Sequence, residues 1–227
     1  MKAGVCGRKM PLEIVETVLS ERLARLGEHE SGLFSFYAWK LQHQCLLSDC
    51  DHEAIRLLQG MRGRYRRVWD IGAGVGQLSV ALAADGWQVT AVDYNPLRFA
   101  ALEAVIDAVG ESWPEIEARI KPILGTIPDV IAGIDVSNDL AISFGSSFTA
   151  PEATHQAFVD ALHRFKAALI DFPSLCTATD DPVVWRSRAV DFSGRPDIVP
   201  IFYYGECDEA TKKEEVYEVY LVESQSS

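Results

Sequence analysis

The tightest constraint on this chain lies in Val68-Trp69-Asp70-Ile71-Gly72-Ala73-Gly74-Val75-Gly76-Gln77-Leu78, followed by Val89-Thr90-Ala91-Val92-Asp93-Tyr94-Asn95-Pro96. A buried strand, a glycine turn, a helix and a second strand ending in an acid make one βαβ unit. Glycine lets the backbone turn sharply and lie against a ligand where any Cβ would collide. The amides of the helix that follows face the same space. A carboxylate at the end of the second strand can accept both hydroxyl protons of a ribose, so the stretch reads as a nucleotide-type ligand site.

The spacing of the glycines separates ligand classes. A dinucleotide fingerprint carries glycine at the first, third and sixth positions of its turn. Counted from Gly72, the third position is Gly74, the fifth is Gly76 and the sixth is Gln77. The pattern Asp-x-Gly-x-Gly-x-Gly, with Asp93 placed 17 residues beyond Gly76, resembles the first motif of class I S-adenosylmethionine-dependent methyltransferases more than that of a dehydrogenase. A nicotinamide or flavin ligand and a ligand-free structural turn are the alternatives, since glycine also marks ordinary turns.

At 227 residues the chain is long enough for one large α/β domain. The economical organisation is an N-terminal helical cap over 1–60 and an α/β domain over 61–227. No apolar run approaches the roughly 18 residues of a membrane span, and the N-terminus has no hydrophobic signal core. Five cysteines do not suggest a disulfide framework. These features lead to the expectation of a cytoplasmic protein with no membrane partner.

The net charge of −12 argues against a general phosphate-binding surface, because nucleic-acid affinity comes largely from Lys and Arg. The first 67 residues are the exception, with 11 Lys and Arg against 8 Asp and Glu. A small or weakly charged substrate is favoured over RNA, although a local patch can outweigh the total.

Apolar residues at Leu12, Val15, Val18, Leu19, Leu23 and Leu26 predict an amphipathic helix from Pro11 to about Leu26. A second helical pattern, about Ser31 to Leu47, carries Phe34, Phe36, Tyr37 and Trp39, which cannot all point one way because neighbours diverge by about 100°. One account is core packing. The other is a lid that excludes water, with Tyr37 the residue best placed to touch substrate. His43, Cys45, Cys50 and His52 have ligand chemistry but fit no zinc spacing, and no metal is expected. The basic run Arg62 to Arg67 follows a short helix, Asp51 to Leu58. It enters the first strand at its amino end, about one strand length, roughly 17 Å, from the ligand end. It reads as a solvated face or a partner contact.

Further strands are predicted at Trp87 to Asp93, Ile120 to Leu124, Asn138 to Phe144 and Ala167 to Phe172. Helices are predicted from Asn95-Pro96 to Gly110 and from Pro151 to about Phe165. Right-handed β-α-β crossovers imply a parallel sheet. Near the C-terminus, strands fit Val183 to Phe192, Ile198 to Gly205 and Val216 to Val222. The fold class expected is α/β: a seven-stranded, mostly parallel, doubly wound sheet closed by an antiparallel C-terminal hairpin, as in the family that residues 66 to about 175 resemble.

By that resemblance, Asp70 interacts with the methionyl amino group of S-adenosylmethionine. Gly72, Ala73, Gly74 and Gly76 approach its methionyl and ribose parts, Asp93 holds the ribose hydroxyls, and Tyr94 packs the adenine. Where the family often has an acid after the third strand, this sequence has Thr126, followed by Ile127, Pro128 and Asp129. The adenine bond could come from Thr126, from Asp129 reaching back, or from the backbone. Phe144 and Gly145 line the methyl-donor end. Tyr37, His155 and Asp171 are candidates for a general base, none in a motif that names it. Asp171 sits where metal-dependent relatives keep a ligand, without their partner acid. The Asn/Asp-Pro-Pro-aromatic motif of amino-methylating nucleic-acid and glutamine enzymes is absent.

The resemblance implies methyl transfer to an oxygen or nitrogen of a small-molecule acceptor. The alternatives are a catalytically inactive methyltransferase-like binding or scaffold protein, and a methyltransferase acting on RNA or protein. Whether the chain forms a homo-oligomer stays open.

Overall fold

Asn95 and Pro96 show how local chemistry sets the elements. The Asn95 side chain accepts from the amides of Leu97 and Arg98 at 3.0 and 3.2 Å, and Pro96 supplies the preset φ of a first helical position. The helix runs Pro96–Ser112. The computed structural model describes residues 9–144, 157–158, 160–171, 198–208 and 213–223. In chain order the elements are α1 (Pro11–Leu23), α2 (Glu28–Gln42), α3 (Asp49–Gly60), β1 (Val68–Ile71), α4 (Gln77–Ala84) and β2 (Val89–Asp93). They continue with α5 (Pro96–Ser112), α6 (Pro114–Glu117), β3 (Ile120–Leu124), β4 (Leu140–Ser143), β5 (Ala167–Asp171), β6 (Ile198–Asp208) and β7 (Lys213–Glu223).

These elements fall into two units. The first joins Met1–Gln59 to Ala73–Leu124, and the second joins Gly60–Gly72 to Gly125–Ser227. The N-terminal helices therefore share a unit with the segment from the glycine turn to β3. In it β2 and β3 pair in parallel, from Val89 opposite Ile120 to Asp93 opposite Leu124. All five β2 residues are buried, as expected of a parallel strand covered on both faces. Ile14, Val15 and Leu19 of α1 and Ala101, Leu102, Val105 and Val109 of α5 contribute to the helical part of its core. Several expected boundaries shift: α1 ends at Leu23 rather than Leu26, α2 runs Glu28–Gln42 rather than about 31–47, α3 widens to Asp49–Gly60, and β2 starts at Val89 rather than Trp87; Gln44 lies in the left-handed region at φ 55°.

In the second unit β1 pairs in parallel with β4, Val68 opposite Leu140, and β4 with β5, Leu140 opposite Ala167. β7 runs antiparallel to β5 and to β6. Parallel pairing thus involves five strands, β1 to β5, while β6 and β7 pair antiparallel. Trp69, Leu140, Ile142, Phe158, Leu162 and Phe165 are fully buried, and Trp69 meets Phe165 edge-on at 5.7 Å. The strand expected at 183–192 lies outside the described residues.

The basic run is built into this unit. Asp139 has no exposed surface and accepts from Arg66 Nε at 3.0 Å, Arg67 Nε at 2.6 Å and the Trp69 indole at 2.9 Å. Tyr65 lies beside both Arg64 and Lys166, whose cations sit 5.8 and 5.5 Å from its ring centre. Arg66 and Arg67 are therefore anchors for a buried acid before they are a surface. Among the described residues no helix is long and apolar enough to cross a membrane.

Candidate functional site

The glycine turn is closed by its own backbone. Ala73 N–H donates to Val92 O of β2, Gly76 N–H to Ala73 O, and Val80 N–H to Gly76 O, each at 2.9 Å. Gly74 has φ 60° and Gly76 φ 87°, the left-handed region that costs an ordinary residue about 1–2 kcal/mol. Space is the second reason for glycine here. A methyl group on Gly76 would overlap the Leu102 side chain of α5, and one on Gly74 would overlap the hydroxyl oxygen of Tyr37.

Asp93 ties the turn to β2. Its Oδ2 accepts the Gly74 amide at 2.9 Å and its Oδ1 the Asn95 amide at 2.8 Å. Arg98 Nε lies 3.5 Å from Oδ1 but out of hydrogen-bond alignment, so this buried nitrogen has no hydrogen-bond partner. The contact is one of charge, offsetting the burial of a carboxylate that is 1% exposed. The Arg98 guanidinium also lies 5.4 Å from the ring centre of Tyr94, which is half exposed. Beside the turn, Oε1 of Gln77 is a second buried atom without a partner.

The aromatic residues of α2 divide as helical geometry requires. Phe34 and Tyr37 are buried, while Phe36 and Trp39 are half exposed. Phe36 and Trp39 stack at 6.5 Å, and Trp39 stacks on His43 at 4.5 Å. Lys40 is buried and reaches Asp51 at 3.4 Å and Leu46 O at 3.2 Å. Asp51 in turn accepts from the Ser48 amide and hydroxyl, at 2.8 and 2.9 Å. Tyr37 is buried, and its hydroxyl lies where a Cβ on Gly74 would be. His43 Nδ1 faces Trp39 O at 2.8 Å, and among the described residues no group of three or more His, Cys, Asp or Glu stands ready for a metal.

Tyr37, Ala73, Gly74, Gly76, Asp93 and Tyr94 thus belong to the first unit. The other candidates belong to the second. Asp70 is buried within β1, and Gly72 has φ 78°. Thr126 Oγ1 donates to Asp129 Oδ2 at 2.8 Å, so the two side chains weighed for an adenine bond hold each other. Ile127 is buried, and Phe144, just past β4, is half-buried. Gly145 and His155 lie outside the described residues, as does the side chain of Asp171, whose backbone ends β5.

Sequence reasoning missed Arg98 and Leu102. Arg98 left a signal, since a cation in a first helical turn opposes the helix dipole and calls for a nearby acid. Leu102 left none, being one apolar position among several on α5.

No protein-family model matches the chain, and no curated protein matches it. Solved structures do. Cofactor-bound Rv0187 from MTB aligns with a TM-score of 0.61 over 97% of this chain and 93% of that one, at 16% identity. The O-methyltransferase from Bacillus cereus in complex with SAH aligns with a TM-score of 0.60 over 96% and 93%, at 15% identity. WbdD, crystallised with a kinase inhibitor, gives a TM-score of 0.56 at 17% identity over 78% of this chain. The chain spans only 41% of the length of WbdD. At such identities the likeness is one of fold: the chain has the fold of class I S-adenosylmethionine-dependent methyltransferases.

Proposed function

We propose that this protein is an S-adenosylmethionine-dependent methyltransferase acting on an oxygen or nitrogen of a small-molecule acceptor. The observation that carries the reading is the join between Gly74 and Asp93, which sets an acid against a side-chain-free turn. The residues fit an adenosyl ligand. Each oxygen of Asp93 takes one main-chain amide and keeps acceptor capacity for a ribose hydroxyl. Gln77 Oε1 and Arg98 Nε are an acceptor and a donor still to be satisfied.

On this reading Asp93 holds the ribose and Tyr94 offers a half-exposed ring to the adenine, to which the resemblance also assigns Thr126 and Ile127. Ala73, Gly74 and Gly76 lie along the methionyl part, to which the resemblance also assigns Asp70, Gly72, Phe144 and Gly145, the last outside the described residues. S-adenosylmethionine supplies a methyl group already activated on a sulfonium, so positioning the acceptor is the main task left to the chain. Tyr37, His155 and Asp171 are the groups to test for taking the acceptor's proton. The N-terminal helices act as a cap. With Arg66 and Arg67 engaged by Asp139, the basic run gives little support to an RNA acceptor.

One observation favours a second reading, an inactive binding or scaffold protein: Tyr37 fills the space over Gly74, and Asp93 is almost wholly buried. Calorimetry with S-adenosylhomocysteine separates the two. The enzyme reading expects saturable binding that Asp93→Ala weakens by roughly tenfold to a hundredfold, the worth of bonds to a charged acceptor. It also expects label from a methyl-labelled donor in an acceptor panel. A folded wild-type protein that binds nothing overturns it.

A further inference from the structure

We propose that Tyr37 is an internal occupant of the glycine turn and that α2 is a gate, which must lift before a ligand can reach Gly74 and Asp93. The inference rests on the cofactor reading above and adds a coupling between that site and α2.

The first ground is steric. The Tyr37 hydroxyl oxygen takes up the place of a Gly74 Cβ, and its ring carbon Cζ stands 3.1 Å from that place. A ligand that lies on the Gly74 backbone needs the same volume, and two sets of atoms cannot share it. The second ground is access. Asp93 is 1% exposed, so a ribose hydroxyl has no path to its oxygens while its surroundings stay as they are.

The third ground is how α2 is held. Its buried side chains include Phe34, Tyr37 and Lys40, while Phe36 and Trp39 offer half-exposed rings to solvent. The Lys40–Asp51 pair fastens its C-terminal end to α3. Its N-terminal end starts at Gly27, which has no side chain to cap the first turn. The helix is anchored through Lys40 near its C-terminal end, and Tyr37 lies one turn before that anchor. A site that is open only part of the time binds with an affinity reduced by the open fraction. Removing the occupant should therefore speed association, whereas removing an ordinary ligand contact would not.

Stopped-flow binding of S-adenosylhomocysteine tests this, using wild type, Tyr37→Phe and Tyr37→Ala, with Trp39 emission as the reporter and Trp39→Phe as its control. The gate predicts association faster by roughly fivefold or more in Tyr37→Ala, in proportion to the gain in open fraction. It also predicts a wild-type emission change that Trp39→Phe abolishes. Association no faster than wild type in Tyr37→Ala overturns the gate and leaves the cofactor reading standing. If wild type and variants alike fail to bind, the cofactor reading itself has failed. Should Tyr37→Ala not fold, amide hydrogen exchange of wild-type residues 28–42 decides. Exchange altered by S-adenosylhomocysteine supports the gate, and unaltered exchange overturns it.

Discussion

The Asp93 carboxylate accepts the Gly74 amide at 2.9 Å, so the tip of β2 and the turn before α4 hold each other in place. The same carboxylate takes the Asn95 amide on its other oxygen, which adds the start of α5 to the group. Asparagine offers one acceptor oxygen where aspartate offers two. Asp93→Asn should then leave one amide without a partner and Arg98 without its counter-charge, at a cost of about 1–3 kcal/mol. Urea unfolding should show a lower midpoint with an unchanged slope. An unmoved midpoint would mean that the carboxylate does not secure the turn.

Gly74→Ala meets two penalties at once. The left-handed backbone costs about 1–2 kcal/mol, and the new methyl overlaps the Tyr37 hydroxyl. In a Tyr37→Ala background only the first should remain. A double-mutant cycle should therefore return a coupling of about 0.5–3 kcal/mol between positions that lie far apart in sequence. Additive losses would show that α2 yields without cost.

What could be read from the chain was what local chemistry decides. The Asn95-Pro96 helix start, the glycine turn and the acid ending β2 each follow from neighbours within a few residues, and each stands where the sequence puts it. Asp139 was opaque. It falls at the start of the strand expected at Asn138 to Phe144, and its arginine partners lie 72 and 73 positions away, brought near by the pairing of β1 with β4. Lys40 drew no attention in the sequence, and it is buried because Asp51 waits on the next helix. Tyr37 and Gly74 were both singled out, yet nothing in either segment could show that one side chain lies on the other's backbone.

Lys40 and Asp51 are both buried and stand 3.4 Å apart. Breaking one partner of such a pair leaves a buried charge alone and costs about 3–5 kcal/mol, whereas replacing both by apolar residues is often near neutral. Lys40→Met alone should therefore unfold at much lower urea concentration than Lys40→Met with Asp51→Leu. Part of that relief is withheld, because Asp51 also accepts from Ser48 at the start of α3. Equal losses in the single and double variants would place the stabilisation in the Ser48 bonds instead.

Asp135 carries a clear pH signature. The Ser137 hydroxyl and amide, at 2.7 and 3.0 Å, hold its carboxyl below the usual range, with smaller help from Arg66 and Arg67 against the opposing effect of desolvation. Its folded value lies under an unfolded value of about 3.9. Its contribution to stability is thus complete above that pH and is lost as pH falls through the folded value. Ser137→Ala should move the Asp135 carboxyl resonance in an NMR titration to higher pH, and the stability gap between variant and wild type should close in acid. Identical titrations would remove Ser137 as the cause.

The cluster on Asp139 decides what the basic run is for. Its buried carboxylate takes the Trp69 indole, Arg67 and Arg66, and Arg66 also donates to Asp135 O at 2.8 Å. Asp139→Ala leaves the buried indole N–H without its acceptor, a loss of about 1–3 kcal/mol, and removes the counter-charge of both arginines. The arginines should follow their exposure. The Arg67 side chain is 26% exposed and that of Arg66 53%, and solvent screens the more exposed cation. The expected order of destabilisation is Asp139→Ala, then Arg67→Gln, then Arg66→Gln, read from urea midpoints. If both arginine variants kept wild-type stability, the run would be released from its structural duty, and a partner for this basic segment would regain its claim.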